Sequence, residues 1–356
     1  MTPLQAILRR RIAATGPITL ADYMAECLLH PDYGYYTSAE PFGRAGDFIT
    51  APEISQMFGE LLGLWIGQCW LDQGRPEGAV LAELGPGRGT LMADALRALR
   101  AVPGFSTSVR VVLVEASARL RSHQAAALQG QAIDWADRPD DLPEAPLFLL
   151  ANEFFDALPI RQFTRDRKGW RETVVGLDGR RLVLGRAPPA PLAALSHRLA
   201  DTVPGDVVEI CPAAGPVIAA VAGRIARHGG AALVVDYGGW RSRGDTFQAV
   251  RRHRTTDPLA EPGDADLTAH VDFEPLALSA ERAGARWFGP VPQGLFLERL
   301  GIATRAAALA QGLSGAALAA HRAAHRRLTG PQEMGTLFKV LAVMPPGAAT
   351  PAGFEQ

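Results

Sequence analysis

Lysine is almost missing from this 356-residue chain: Lys168 and Lys339 are the only two, and every other basic residue is arginine. Beside 37 glycines and 27 prolines this reads as composition bias, and it carries no function. An excess of charge of one sign is also lacking. Lysine plus arginine number 36 against 37 acids, so no global field gathers nucleic acid or an anionic membrane. Cysteine is scarce: Cys27, Cys69 and Cys211 lie far apart and form no CxxC pair. That argues against zinc, iron–sulfur and thioredoxin-like sites and suits a reducing compartment. No apolar run reaches the ~18 residues of a membrane span. What is present is an ordinary apolar content of 47%, in a chain longer than one small domain needs.

The N-terminal stretch "MTPLQAILRRRIAATG" is rich in arginine and has no acid before Asp22. It reads as a transit peptide or as an amphipathic helix with Leu4, Ile7, Leu8 and Ile12 on one face. Its direct continuation into patterned sequence favours the helix, and with it a bacterial cytoplasmic protein. "HPDYGYYTSAEPFGRAGDFITAPEIS" reads as loop, and a helix starts near Ser55. From residue 80 apolar strands alternate with helices: strands at 79–84, 109–115, 131–135 and 147–152, then 231–239. That pattern means a parallel sheet covered on both faces. Residues 160–205 interrupt it with hairpins around a DG turn and a proline-rich stretch. Residues 303–328 form an alanine-rich helical hairpin between two closing antiparallel strands, "ARWFGPV" and "TLFKVLAVMP".

The turn after the first of these strands is "LAELGPGRGT". Gly85, Gly87 and Gly89 let backbone approach a ligand that a Cβ would block, and the following helix offers free N–H groups. The GxGxG spacing is not that of the GxGxxG dinucleotide turn, and no Walker A pattern is present. Glu83 precedes the turn, where a carboxylate accepts from a cation or a hydroxyl and would repel a phosphate. Glu115, at the end of the next strand, is placed for both ribose hydroxyls of S-adenosyl-L-methionine (SAM). Asp134 and Trp135, at the end of the third strand, bracket the adenine on one reading; on the other they are a surface acid and a core tryptophan.

The fourth strand ends in "LFLLANEFFDALP". Asn152, Glu153 and Asp156 arrive together where open α/β sheets bind ligands. Methyl transfer to an arginine needs an aligned nitrogen and excluded water. Glu153 and Asp156 then clamp a guanidinium, Asn152 accepts from a nitrogen or meets the cofactor, and Phe154 or Phe155 walls off water. A helix cap made by Asn152 or Asp156 is compatible with this. Asp47 and Glu53, in "AGDFITAPEIS", cover the cofactor or the substrate channel, or simply build a loop. Asp266, Thr268, His270 and Asp272 alternate along one face of "DADLTAHVDF", which reads as a polar wall, with His270 toward substrate and no metal site. His321 and His325 read as an exposed basic helix face.

These segments together resemble the MidA-type class I SAM-dependent methyltransferases, found in bacteria and, as respiratory complex I assembly factors, in mitochondria. "GPITLADYMAECLLHPDYGYYT", "GDFITAPEISQMFGELLGLW", "LAELGPGRGTLMADALR", "NEFFDALP", "DYG", "DLTAHVDF" and "MGTLFKVLA" carry the resemblance along nearly the whole chain. It implies a class I methyltransferase (Rossmann-like) α/β fold: a mixed seven-stranded sheet with helices on both faces, plus helical and hairpin embellishments. An N-terminal helical/loop segment, 1–75, would cover the cofactor site. The methyltransferase core would occupy 76–356, with insertions at about 160–205 and 286–330. The resemblance implies SAM as cofactor, held by Gly85, Gly87, Gly89 and Glu115. It also implies a protein substrate, an arginine on a peripheral-arm subunit of complex I, and the mitochondrial matrix as the location of eukaryotic relatives. No nucleic-acid partner and no integral membrane segment are expected, and the oligomeric state is left open. A different methyl acceptor and a non-catalytic assembly chaperone are the alternatives; an NAD-dependent dehydrogenase has the wrong glycine spacing.

Overall fold

The computed structural model describes residues 2–38 and 50–355. The chain divides into two units, one comprising Ile49–Phe155, Gly215–Gly238 and Phe273–Gln356, the other Met1–Phe48, Asp156–Ala214 and Gly239–Asp272.

The first unit holds a mixed sheet of seven strands. They are β1 (Ala79–Leu84), β2 (Val109–Val114), β3 (Ile133–Ala136), β4 (Leu147–Asn152), β5 (Gly230–Gly239), β6 (Arg286–Pro292) and β7 (Phe338–Met344). Their spatial order is β3-β2-β1-β4-β5-β7-β6. β1 to β5 pair in parallel, and β7 enters antiparallel between β5 and β6. The mixed sheet is of the kind that the resemblance implied, and these are the seven strands of it that this unit holds. β1 and β4 are buried at every position, as strands covered on both faces must be. The strand order turns back at β1, whose neighbours β2 and β4 lie on opposite sides, so a crevice is expected at the carboxyl ends of β1 and β4.

Helix Gln56–Asp72 packs on helix Thr90–Leu99 through glycines four residues apart. A Cβ on Gly63 would lie 2.7 Å from the Cα of Ala95, so the close approach depends on its absence. Glu60, buried on the same helix, receives Arg97 at 3.0 Å and Arg305 at 2.8 Å. These pairs tie helix Ile302–Ala310, part of the alanine-rich hairpin, to the helical layer.

The second unit has its own core. Helix Pro3–Thr15 buries Leu4, Leu8 and Ile12 among Tyr23, Val175 and Leu267. Strands Arg161–Asp166, Gly169–Asp178, Arg181–Arg186 and Val207–Ile210 form a largely antiparallel sheet.

Three expectations change. Residues 1–75 do not stay together: the helix starting at Gln56 is apolar nearly all round and belongs to the sheet's own core, whereas the first helix belongs to the other unit. Residues 286–292 are strand β6 of the sheet, as the reading of "ARWFGPV" as a closing antiparallel strand expects, so the insertion placed at 286–330 does not begin there. The loop read before Ser55 contains two short helices, Tyr35–Ser38 and Ala51–Ile54.

Candidate functional site

Register builds the site. Across parallel strands, paired residues point to the same face, and residues two apart share that face. Glu83 of β1 pairs with Leu113 of β2 and Leu150 of β4. Glu115 is two residues beyond Leu113, and Asn152 is two beyond Leu150. Glu83, Glu115 and Asn152 therefore lie on one face, at the carboxyl ends of three adjacent strands.

The glycine turn leaves β1 beside them. Gly85, Gly87 and Gly89 take φ of +58°, +52° and +84°, a region that L side chains disfavour. A Cβ on Gly85 would lie 2.9 Å from the Phe154 ring, so the turn is in direct contact with the segment that follows β4. Gly89 is the cap of helix Thr90–Leu99. Thr90, its first residue, donates to Glu53 at 2.6 Å, which brings Glu53 to the start of that helix. Asp47 lies outside the described residues.

Two acceptors here are buried without a hydrogen-bond partner: Oε2 of Glu83 and Oδ1 of Asn152. Buried polar atoms are normally satisfied, so such a pair calls for a ligand that donates to them. Burial pushes the Glu83 carboxyl up to about 8, opposed by a hydrogen bond from the Met92 backbone N–H. Burial also raises the Glu115 carboxyl, against donors from Ser117 and Gln124. Asn152 Nδ2 donates to Glu153 Oε1 at 3.0 Å, and the same oxygen accepts from the Ala51 N–H at 3.0 Å. Glu153 takes φ of +50°, a strained conformation of the kind found where a side chain must be aimed.

What holds that conformation is a residue the sequence reading did not single out. Asp236 on β5 is wholly buried. It accepts from the Phe155 N–H at 3.0 Å and the Tyr237 N–H at 3.0 Å. The Glu153 N–H reaches the Val235 carbonyl at 2.9 Å. Asp236→Asn would turn one acceptor into a donor facing a backbone N–H. A loss of about 2–3 kcal/mol of stability is expected, read as a lower midpoint in urea. An unchanged midpoint would show that the carboxylate does not hold this turn.

Other expected residues fall elsewhere. Asp134 pairs in register with Val112, which puts it on the face opposite Glu115. It is exposed and bonded to Arg110 at 2.8 Å, so its carboxylate serves the surface and not an adenine. Trp135 shares the face of Glu115, and its Nε1 donates to Gln124 Oε1 at 2.8 Å; it supports the site through that buried amide. Phe155 is buried in the core, and Phe154 is the ring against the turn. Asp156 is buried in the second unit. There the Tyr36 hydroxyl donates to Asp266 at 2.9 Å, Asp272 lies 3.5 Å from the buried Arg198, and the His270 N–H donates to Thr246 at 2.8 Å. His321 is not on an open basic face: it bonds the Ala306 carbonyl at 2.9 Å within the helical hairpin.

A cavity of about 560 Å³ lies at the opposite edge of the sheet, lined by Trp65, Cys69, His228 and the segment after β7. None of the candidate residues line it, and ligands of such sheets bind at the carboxyl edge, so the glycine turn is taken as the site. Among the described residues no helix is long and apolar enough to cross a membrane, and no cluster of three or more His, Cys, Asp or Glu is arranged to hold a metal ion.

Residues 61–291 match the family described as "Putative S-adenosyl-L-methionine-dependent methyltransferase". The protein arginine methyltransferase NDUFAF7, mitochondrial, of Xenopus tropicalis is 39% identical, over 94% of this chain and 84% of its own. The Homo sapiens protein of the same name is 38% identical, over 97% and 84%. A solved structure from Burkholderia thailandensis, described as a "likely methyl transferase" and bound to S-adenosyl-homocysteine, superposes with a TM-score of 0.82 at 32% identity. The match covers 99% of this chain and 92% of that one.

Proposed function

The chain belongs to this family of SAM-dependent methyltransferases, and on that premise we propose that it N-methylates an arginine of a protein, a core peripheral-arm subunit of respiratory complex I. The enzyme class and the cofactor follow from the family. The residues present fit SAM: three glycines shape a cradle, Glu115 offers a carboxylate to the ribose, and Glu83 and Asn152 offer buried, unpartnered acceptors. When bound, SAM supplies a sulfonium-borne methyl group. The observation that carries the arginine reading is the similarity, over nearly the full chain, to proteins named for arginine methylation. The chemistry supports it, since carboxylates suit a planar guanidinium that must be oriented and localised. The bacterial cytoplasm is the proposed location, corresponding to the mitochondrion in the named relatives.

Intact-mass analysis of the subunit after incubation with enzyme and SAM tests this. A gain of one or two methyl groups on an arginine is expected. SAM binding without any gain would discard the acceptor and keep the cofactor.

Glu153 and Asp156 are the carboxylates proposed for the guanidinium, and each is tested alone. Glu153→Gln and Asp156→Asn are each expected to lower kcat on the order of 10²-fold with SAM affinity little changed. Full turnover in either variant removes that residue from the assignment.

A further inference from the structure

We propose that Gln124 is a positioning residue of the cofactor site, fixing the ribose-binding carboxylate of Glu115 and the Gly87 peptide at once, and that a neutral amide is required there. The inference rests on the assignment of Glu115 to the ribose.

Gln124 comes from helix Ala118–Ala127 and is completely buried. Its orientation is not ambiguous. The Trp135 indole only donates, so the atom 2.8 Å from it must be Oε1. Nε2 then faces two acceptors, the Gly87 carbonyl at 2.9 Å and Glu115 Oε2 at 3.2 Å. Both amide hydrogens and the amide oxygen are thus used, and all three partners belong to the candidate site. The other oxygen of Glu115 accepts from the Ser117 N–H at 2.8 Å. With both oxygens anchored, the carboxylate plane is fixed relative to the position assigned to the ribose hydroxyls. On the turn side, the bond to the Gly87 carbonyl fixes that peptide plane. The helix also closes on the turn directly, since a Cβ on Gly89 would lie 3.4 Å from the Gln124 Cα.

No other residue type of this size does the same. Methionine would leave the indole N–H, the Gly87 carbonyl and Glu115 Oε2 without their partner. Glutamate would present acceptors to an acceptor and a carboxylate. A purely structural role would predict a less stable protein with unaltered ligand preference. A positioning role predicts a specific defect at the ribose.

The experiment is calorimetric titration of the full chain with S-adenosyl-homocysteine and with its 2′-deoxyribose analogue. The wild-type protein is expected to prefer the parent ligand by about tenfold, the effect of one hydrogen bond to a charged group. Gln124→Met is expected to weaken the parent ligand about tenfold and to shrink the preference to about twofold. Its kcat at saturating SAM should stay within about threefold, because nothing at the reacting methyl is removed. Unchanged affinity, or weakened affinity with the preference intact, would overturn the proposal. A wild-type protein that binds the two ligands equally would instead remove the ribose assignment of Glu115, and the proposal with it. If near-ultraviolet circular dichroism shows that Gln124→Met does not fold, Trp135→Phe takes its place. That change removes the donor that orients the amide, together with part of the ring, and leaves Gln124 itself in place; a preference undiminished in it would equally overturn the proposal.

Discussion

Gly87→Val is expected to give a folded protein that no longer binds SAM. Gly87 has φ of +52°. A β-branched residue there is disfavoured by roughly 1–2 kcal/mol. Against a total stability on the order of 5–15 kcal/mol, the fold survives that strain. The peptide has little freedom to rotate away, because its carbonyl is held by Gln124 at 2.9 Å. The new side chain must then occupy the space into which the glycines admit a ligand. A loss of about 100-fold or more in SAM affinity is expected, since a Cβ in the cradle would exclude the ligand that glycine admits. Calorimetric titration reads the affinity, and the thermal midpoint shows whether the variant is folded. A folded variant that binds SAM within about threefold of wild type would mean that the turn is not the cofactor cradle. Loss of methyl transfer alone, with binding intact, would have the same meaning.

The sheet was legible because its signals are local. Strands such as "AVLAEL" and "LFLLAN", apolar except for one polar residue near the carboxyl end, do not alternate as half-exposed strands do, and their alternation with helices implies parallel pairing. The candidate acceptors Glu83, Glu115 and Asn152 were legible for the same reason, as polar residues at the mouths of buried strands. Other features depend on pairing between distant segments. Asp134 sits at a strand end just as Glu115 does, and only the register of β3 against β2 shows that it faces the other way. A single residue of offset moves a side chain to the opposite face, and sequence spacing does not supply the register. Gln124 and Asp236 act through hydrogen bonds to residues 37 and 81 positions away; nothing in its neighbouring sequence marks Gln124, and "DYG" marks Asp236 only as part of the resemblance, without its role. Phe154 and Phe155 are adjacent and chemically alike; which one meets Gly85 is decided by the turn that Asp236 holds. The division into units was misread because residues 1–75 are continuous in sequence while their apolar faces serve two different cores.

SAM binding near neutral pH is expected to release a proton, and Glu83 is its source. Burial raises this carboxyl from its ordinary value to about 8, so at pH 7 the free protein holds it mostly neutral. SAM carries an ammonium and a sulfonium, and an opposite charge brought near a buried carboxyl favours its ionised form. Binding therefore lowers the Glu83 pKa and expels the proton. The same group shapes stability without ligand. Its folded pKa lies above its unfolded one, so the native state binds more protons between about 4.5 and about 8. Stability then falls as pH rises through that window, by an amount on the order of 5 kcal/mol if the whole change is realised. Calorimetry of SAM binding at pH 7 in two buffers of different ionisation enthalpy reads the proton directly. Observed heats should differ between buffers for the wild-type protein and coincide for Glu83→Gln. That variant should also flatten the pH dependence of the urea midpoint from 5 to 8. Heats that are independent of buffer in the wild-type protein would place Glu83 away from the ligand's charge. An unaltered pH profile in Glu83→Gln would assign the titration to another buried group, of which Glu115 is the nearest candidate, because burial raises its carboxyl too.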